Sequence, residues 1–322
     1  MNSAVKTGRS EVPPEADDPQ PFRSRRRRAQ RRSADRPLWL LLPSAALLLL
    51  VIVVPFLIAV YISFLALDQF SLRQWIDAPW VGLGNYVEAI SASSVLHSLW
   101  VSTAFALLTT AVITPIGLLA ALSVNARFRG RAVVRSLFLL PYVIPSFVTA
   151  TVWRVILQAD GGFNAVLGVF GIEGGQWLIG EKSFWALVMV DVWAAWPFIY
   201  IMVLAGLQNV SADLYDSADV DGASWWQKIW YVVLPQVRGQ LSLGLLLSTL
   251  HHFNNFTLPF VLLGTPAPDP ALTLPVNIYQ TSFHVFRFGL GAAMSVLTLI
   301  IMIIPAVIYI RASRLDAKPQ EV

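Results

Sequence analysis

From residue 38 to residue 67 the chain carries no charged side chain, and comparable apolar runs recur to its end. A bilayer core of ~30 Å is crossed by roughly 20 apolar helical residues. Charged residues make up only 13% of the 322 residues, against about 25% in soluble proteins. The pattern therefore predicts an all-α integral membrane protein. Six crossing helices are expected, over 38–67, 98–124, 136–157, 183–207, 241–264 and 288–310. Prolines inside these runs, such as Pro43, Pro55, Pro115, Pro141 and Pro145, are tolerated where neighbouring helices satisfy the freed backbone groups. Neither inverted repeats nor discontinuous helices are read from the pattern, which argues against a secondary transporter or channel.

Charge sets the expected orientation. With the N-terminus inside and six crossings, 19 of the 23 lysines and arginines fall on inner segments; only Arg73, Arg154, Lys182 and Arg287 fall outside. Cytoplasmic loops carry such an excess, so both termini are expected inside. The tract RSRRRRAQRRS in the tail 1–36 then reads as a juxtamembrane anchor that meets anionic lipid, not as a nucleic-acid arm. The acidic, Pro-rich segment ahead of it reads as disordered. The first apolar run is too long for a cleaved signal and is expected to stay. Residues 37–312 form the expected membrane domain, followed by a short tail, 313–322. The chain has no cysteine, which removes thiolate chemistry; no metal site and no catalytic residue are expected. IEGGQ at 172–176 is superficially similar to an ATPase signature but lies in a loop on the wrong side for ATP.

One inner loop, 208–239, departs from the apolar theme. Four aspartates, Asp213, Asp216, Asp219 and Asp221, precede Gly222, and three tryptophans follow it. Ser211 suits an N-cap, with acids in the first turn favoured by the helix dipole. Gly222 suits a left-handed residue that ends this short helix. Ser224 and Gln227 have the spacing of a capping box. Trp226, Ile229, Trp230 and Val233 recur at i, i+3, i+4 and i+7 as one apolar stripe, and Pro235 is expected to stop the second helix. An interfacial helix explains the tryptophans but not the acids, which an anionic leaflet repels; a protein groove accommodates both.

The same loop resembles the EAA loop of ATP-binding-cassette importer permeases, E-A-A-x-x-x-G-x9-I-x-L-P. Aligned on Gly222, this chain has Asp216, Ser217, Ala218, Val232, Leu234 and Pro235 at the remaining positions, with Asp for Glu, Ser for Ala and Val for Ile as departures. DGAS (Asp221 to Ser224) and Gln227 are similar to the carbohydrate branch, as are VGLGNYVEAI, LLPYVIPSFVTATVWRVI, DVWAAWPFIYIMVLAGLQNV and FGLGAAMSVL. The resemblance covers roughly residues 38–312 and is to the "first permease" type of glycerol-3-phosphate and maltooligosaccharide uptake. It implies the six-helix permease fold of type I importers in the cell membrane, and a loop (Asp216 to Pro235, with Trp226, Ile229 and Trp230) that docks on a cytoplasmic ATPase. It also implies a second permease subunit in a heterodimer, an extracytoplasmic solute-binding protein, and ATP and Mg held by the partner ATPase, with no cofactor on this chain. Cargo other than sugar, such as a polyamine or inorganic anion, is the alternative.

Polar groups within a span are costly and mark pathways or helix contacts. In the fifth run Ser248, His251 and Asn255 form one stripe, flanked by His252 and Asn254. With Asp191, and with Trp196 or Tyr200 as an aromatic face beside Phe256, they are the candidate substrate pathway. Asp191 is expected to pair with Arg154, which helical rise puts at similar depth; direct contact with substrate hydroxyls is the other reading.

Overall fold

The computed structural model describes residues 42–126 and 128–316. The Arg-rich tract and the expected terminal tails lie outside these residues, except for the first few of 313–322. The chain divides after Phe56 into two compact units. Of the first, residues 42–56 are described and are apolar and exposed. Helix α1 (Leu42–Ile62) crosses that division. Then follow α2 (Gly84–Ser91), α3 (Ser93–Ser123), α4 (Arg131–Val143), α5 (Ser146–Ile156), α6 (Gly162–Val169) and α7 (Lys182–Leu207). The rest of the chain gives α8 (Ala212–Val220), α9 (Trp225–Gln227), α10 (Leu234–Phe253), α11 (Thr257–Leu263), α12 (Leu274–Phe283) and α13 (Phe288–Asp316). Among the described residues the only β-pairing is an isolated bridge, Leu65 to Trp80.

Among the described residues four helices are long and apolar enough to cross a membrane: α1, α3, α7 and the Phe288–Ala312 part of α13. A fifth candidate is the pair α4 and α5, and here the expectation of continuous helices is overturned, because they meet at 85°. Ile144 is extended (φ −70°, ψ 127°), as a residue before proline prefers, and Pro145 has no N–H to give. Pro115, Pro197 and Pro305 each sit singly within an unbroken helix. Pro141 and Pro145 stand four apart, so two successive turns each lack a bond, and the helix breaks before the second proline.

The run 241–264 is also two helices, interrupted between Phe253 and Thr257. Asn255 Oδ1 accepts the Leu258 N–H at 3.3 Å and so serves the start of α11. The first run ends at Ile62 rather than residue 67. Beyond it Asn85 Nδ2 donates to the carbonyls of Ser63 (2.9 Å) and Leu65 (2.8 Å), holding the turn that follows the helix against α2.

The core joins α3, α7 and α10. At their crossing a β-carbon on Gly117 would lie 2.7 Å from Ile199 Cβ, so only glycine allows α3 this approach to α7. Tyr200 (1% exposed), Ile113, Val203 and Val237 close the same cluster. At the C-terminal end of α3, Arg131 Nε and Arg135 Nη2 donate to the Val124 carbonyl at 2.7 and 3.2 Å. The arginines of the first turns of α4 therefore cap a helix whose dipole favours cations there.

At the opposite end, Arg287 forms a two-point pair with Glu88, one bond being Nη2 to Oε2 at 2.6 Å. It ties α2 to the start of α13. That hydrogen-bonded guanidinium holds the Glu88 carboxyl below the ordinary carboxylate range. A lowered folded pKa gives stability that is complete above the ordinary value of about 4.3 and is lost as pH falls through the lowered value. Both side chains are nearly half exposed (43% and 45%), so solvent screening limits the gain to about 0–1 kcal/mol. Glu88→Gln is expected to lower the melting temperature slightly at pH 7, and that gap should close by about pH 3. A gap unchanged by acid in a detergent melting series would show that the pair contributes nothing.

Candidate functional site

The break between α4 and α5 opens a cavity of about 500 Å³ against α7 and α10. This lies within the ~300–1,000 Å³ of small-molecule sites. Pro141, Tyr142 and Ile144 to Ser146 form the broken edge, and Phe198 and Leu247 add apolar wall. The polar wall is Thr149, Asp191, Ser248, His251, His252 and Asn255. Four of its atoms, Thr149 Oγ1, Ser248 Oγ, Asp191 Oδ2 and His252 Nδ1, are buried without an aligned hydrogen-bond partner. Asp191 Oδ2 and His252 Nδ1 do lie 2.7 Å apart, with side chains 4% and 1% exposed. Their contact is a close electrostatic approach, which leaves the Thr149 and Ser248 hydroxyls as the cavity's groups with no partner at all. An unmet buried polar atom costs about 1–3 kcal/mol; two such hydroxyls beside a buried Asp–His contact make the cavity a place for a ligand rich in donors and acceptors.

Five of the eight pathway residues read from sequence meet here: Asp191, Ser248, His251, His252 and Asn255. The other three do not line the cavity. Asn254 is exposed at the C-terminal cap of α10. Trp196 and Tyr200 pack on Phe138, with ring centroids 5.4 and 5.7 Å away. Phe256 stacks with Phe260 and Tyr279 instead. The aromatic rings at the cavity are Tyr142 and Phe198, 6.1 Å apart. Both were missed, along with Ser146 and Thr149; the available signal was the pair of prolines four residues apart. The expected Asp191–Arg154 pair is also corrected. Arg154 Nη1 donates to the Val261 carbonyl at 3.1 Å, and the neighbour of Asp191 is His252.

The acidic, Trp-rich loop forms a corner. Helix α8 ends in a left-handed Gly222 (φ 70°). The Ala223 N–H donates to the Ala218 carbonyl at 2.9 Å and the Gly222 N–H to the Asp219 carbonyl at 3.1 Å, which are the two bonds of a Schellman motif. Ser224 and Gln227 form the reciprocal capping box. Lys228 pairs with Asp219 across the corner. Ser211 stands at the N-cap position, extended, without a side-chain cap bond.

Two expectations change here. Pro235 does not stop the helix: the chain passes from α9 through a π-helical turn, Lys228–Val233, into α10. The wider turn takes up the carbonyl clash that proline brings to a regular α-helix. It also divides the apolar stripe. Ile229 and Val233 are buried, whereas Trp225, Trp226, Trp230 and Tyr231 are 52–79% exposed. Asp216 and Ser217 on α8 are exposed and Ala218 is buried, while Asp221, Gly222, Ser224 and Gln227 are exposed around the corner. Leu234 is half-buried.

A profile of the family described as binding-protein-dependent transport system inner membrane component matches residues 113–320. The trehalose/maltose transport system permease protein MalF of Thermococcus litoralis is 32% identical over 74% of this chain and 81% of its own length. The inner membrane ABC transporter permease protein YcjO of Escherichia coli is 33% identical over 87% of this chain and 94% of its own. A solved bacterial ABC transporter involved in the import of the acidic polysaccharide alginate shares the fold. Its TM-score is 0.75 at 21% identity, over 91% of this chain and 100% of that one. With its several apolar spans and its helical bundle, the chain belongs to the binding-protein-dependent transport system inner membrane components and is a membrane-spanning permease subunit of an ABC importer.

Proposed function

We propose that this subunit imports a sugar or sugar derivative, and that its solute passes through the cavity at the α4–α5 break. The observation that carries this reading is a set of buried polar groups facing one small-molecule-sized space: the partnerless hydroxyls of Thr149 and Ser248 and, beside them, the Asp191–His252 contact. Hydroxyls of a sugar can satisfy these groups, and Tyr142 and Phe198 offer the ring faces that sugars pack on. Similarity to a trehalose/maltose permease supports the same cargo. A polyamine or inorganic anion would not need so many neutral hydrogen-bonding groups.

Six crossings complete the topology, with α4–α5 and α10–α11 as two broken ones and both termini in the cytoplasm of a cell-membrane protein. The distribution of lysine and arginine supports this orientation. The corner from Asp216 to Pro235 then faces the cytoplasm and docks on an ATPase. The exposed aromatic patch fits such a contact, since tryptophan and tyrosine dominate binding hot spots. ATP and Mg belong to that partner, which performs the hydrolysis. A second permease subunit, in a heterodimer, and an extracytoplasmic solute-binding protein complete the machine. ATP drives alternating access by binding one conformation better than the other. Uptake of a panel of radiolabelled sugars by a strain lacking this gene tests the cargo: at least one sugar should lose uptake and regain it on complementation. Loss confined to a polyamine or inorganic ion would overturn the reading.

A further inference from the structure

The cavity's charge narrows the cargo, given the reading that this cavity is the solute site. Asp191 is its single acid, and among the described residues no lysine or arginine lines it. With His252 neutral, the Asp191–His252 contact has a charge of −1; with His252 protonated, it is a closed ion pair of zero net charge. His251, whose ring lies 5.5 Å from that of His252, adds a second imidazole to this wall. An anionic solute would leave water to stand beside a carboxylate without a dedicated counter-ion, which burial makes costly. A cationic solute would have to displace the imidazole from a carboxylate whose side chain is only 4% exposed. Thr149 and Ser248 offer hydroxyls that donate or accept equally well, and these suit uncharged hydroxyl groups.

We infer that the permease selects an uncharged mono- or disaccharide, with the Asp191–His252 pair excluding anionic sugars such as sugar phosphates and uronates. The pair discriminates by repulsion as well as attraction, as specific sites commonly do.

The test is equilibrium binding to the assembled permease complex in nanodiscs, without the solute-binding protein. Probes are glucose, maltose and trehalose, against glucose 6-phosphate, glucuronate, trehalose 6-phosphate and glucosamine. A neutral sugar should bind at least tenfold more tightly than its charged counterparts. Ser146→Lys, at an exposed position on the cavity rim, should raise the anion-to-neutral binding ratio at least tenfold. Phosphate or uronate binding as tight as that of the parent sugar overturns the charge selectivity and leaves the cavity reading standing. Binding of no probe, together with sugar uptake unaffected by Ser248→Trp, overturns both.

Discussion

Asp191→Ala is expected to lower uptake of the transported sugar by about 10- to 100-fold while the protein still inserts and assembles. The magnitude follows from the carboxylate's role as an acceptor. Hydrogen bonds to a charged group contribute about 1.5–3 kcal/mol, and each 1.36 kcal/mol is tenfold in rate. Insertion should not suffer, because an acid within a span opposes it by about 2.5–3.5 kcal/mol on translocon scales. His252, relieved of its partner, can remain as a neutral imidazole. Asp191→Asn keeps the shape and part of the acceptor capacity, so its loss should be smaller. Arg154→Gln is the control: its guanidinium serves the Val261 carbonyl, so uptake should stay within about twofold, in line with the small effect of most exposed substitutions. Uptake kinetics beside melting temperature decide the matter. Melting that falls with uptake unchanged would make Asp191 a structural residue only.

The surroundings of Asp191 are set by packing that the sequence does not spell out. Helical rise gives depth, and depth alone matched it with Arg154. Which side of α7 faces which neighbour depends on helix rotation, and that is set by packing such as Gly117 on Ile199. Trp196 and Tyr200 went astray for the same reason, since an aromatic residue on a buried helix suits a core and a binding wall alike. The break at Pro145 was hidden because single prolines leave α3, α7 and α13 intact. The corner at Gly222 was legible because its determinants are local: a left-handed glycine, a capping box, and acids ahead of them. Even there the π turn carried no periodic signal of its own, and it rotated Ile229 and Val233 away from Trp226 and Trp230. The family was legible through the spacing from Asp216 to Pro235, where chemistry and geometry are both confined to one short segment.

Gly222→Pro is expected to bring uptake to background, about 100-fold down or more, with the protein still present in the membrane. Proline fixes φ near −65°, whereas this residue sits at φ 70°. Proline also removes the N–H that Gly222 gives the Asp219 carbonyl, so both the turn and its bond are lost. No atom lies within 4 Å of a β-carbon built at this position, so the β-carbon meets no crowding and the backbone, through its conformation and its N–H bond, decides the outcome. That makes the substitution series diagnostic. Gly222→Asn, which tolerates the left-handed region, should keep uptake within a few-fold of wild type. Gly222→Val, held there at about 1–3 kcal/mol of strain, should fall between the two. If the corner presents Trp225, Trp226, Trp230 and Tyr231 to the ATPase, co-purified ATPase and its stimulation by loaded binding protein will decline in the order Asn, Val, Pro. A Pro variant that retains its ATPase and stimulates it normally would show that the bend does not carry the coupling.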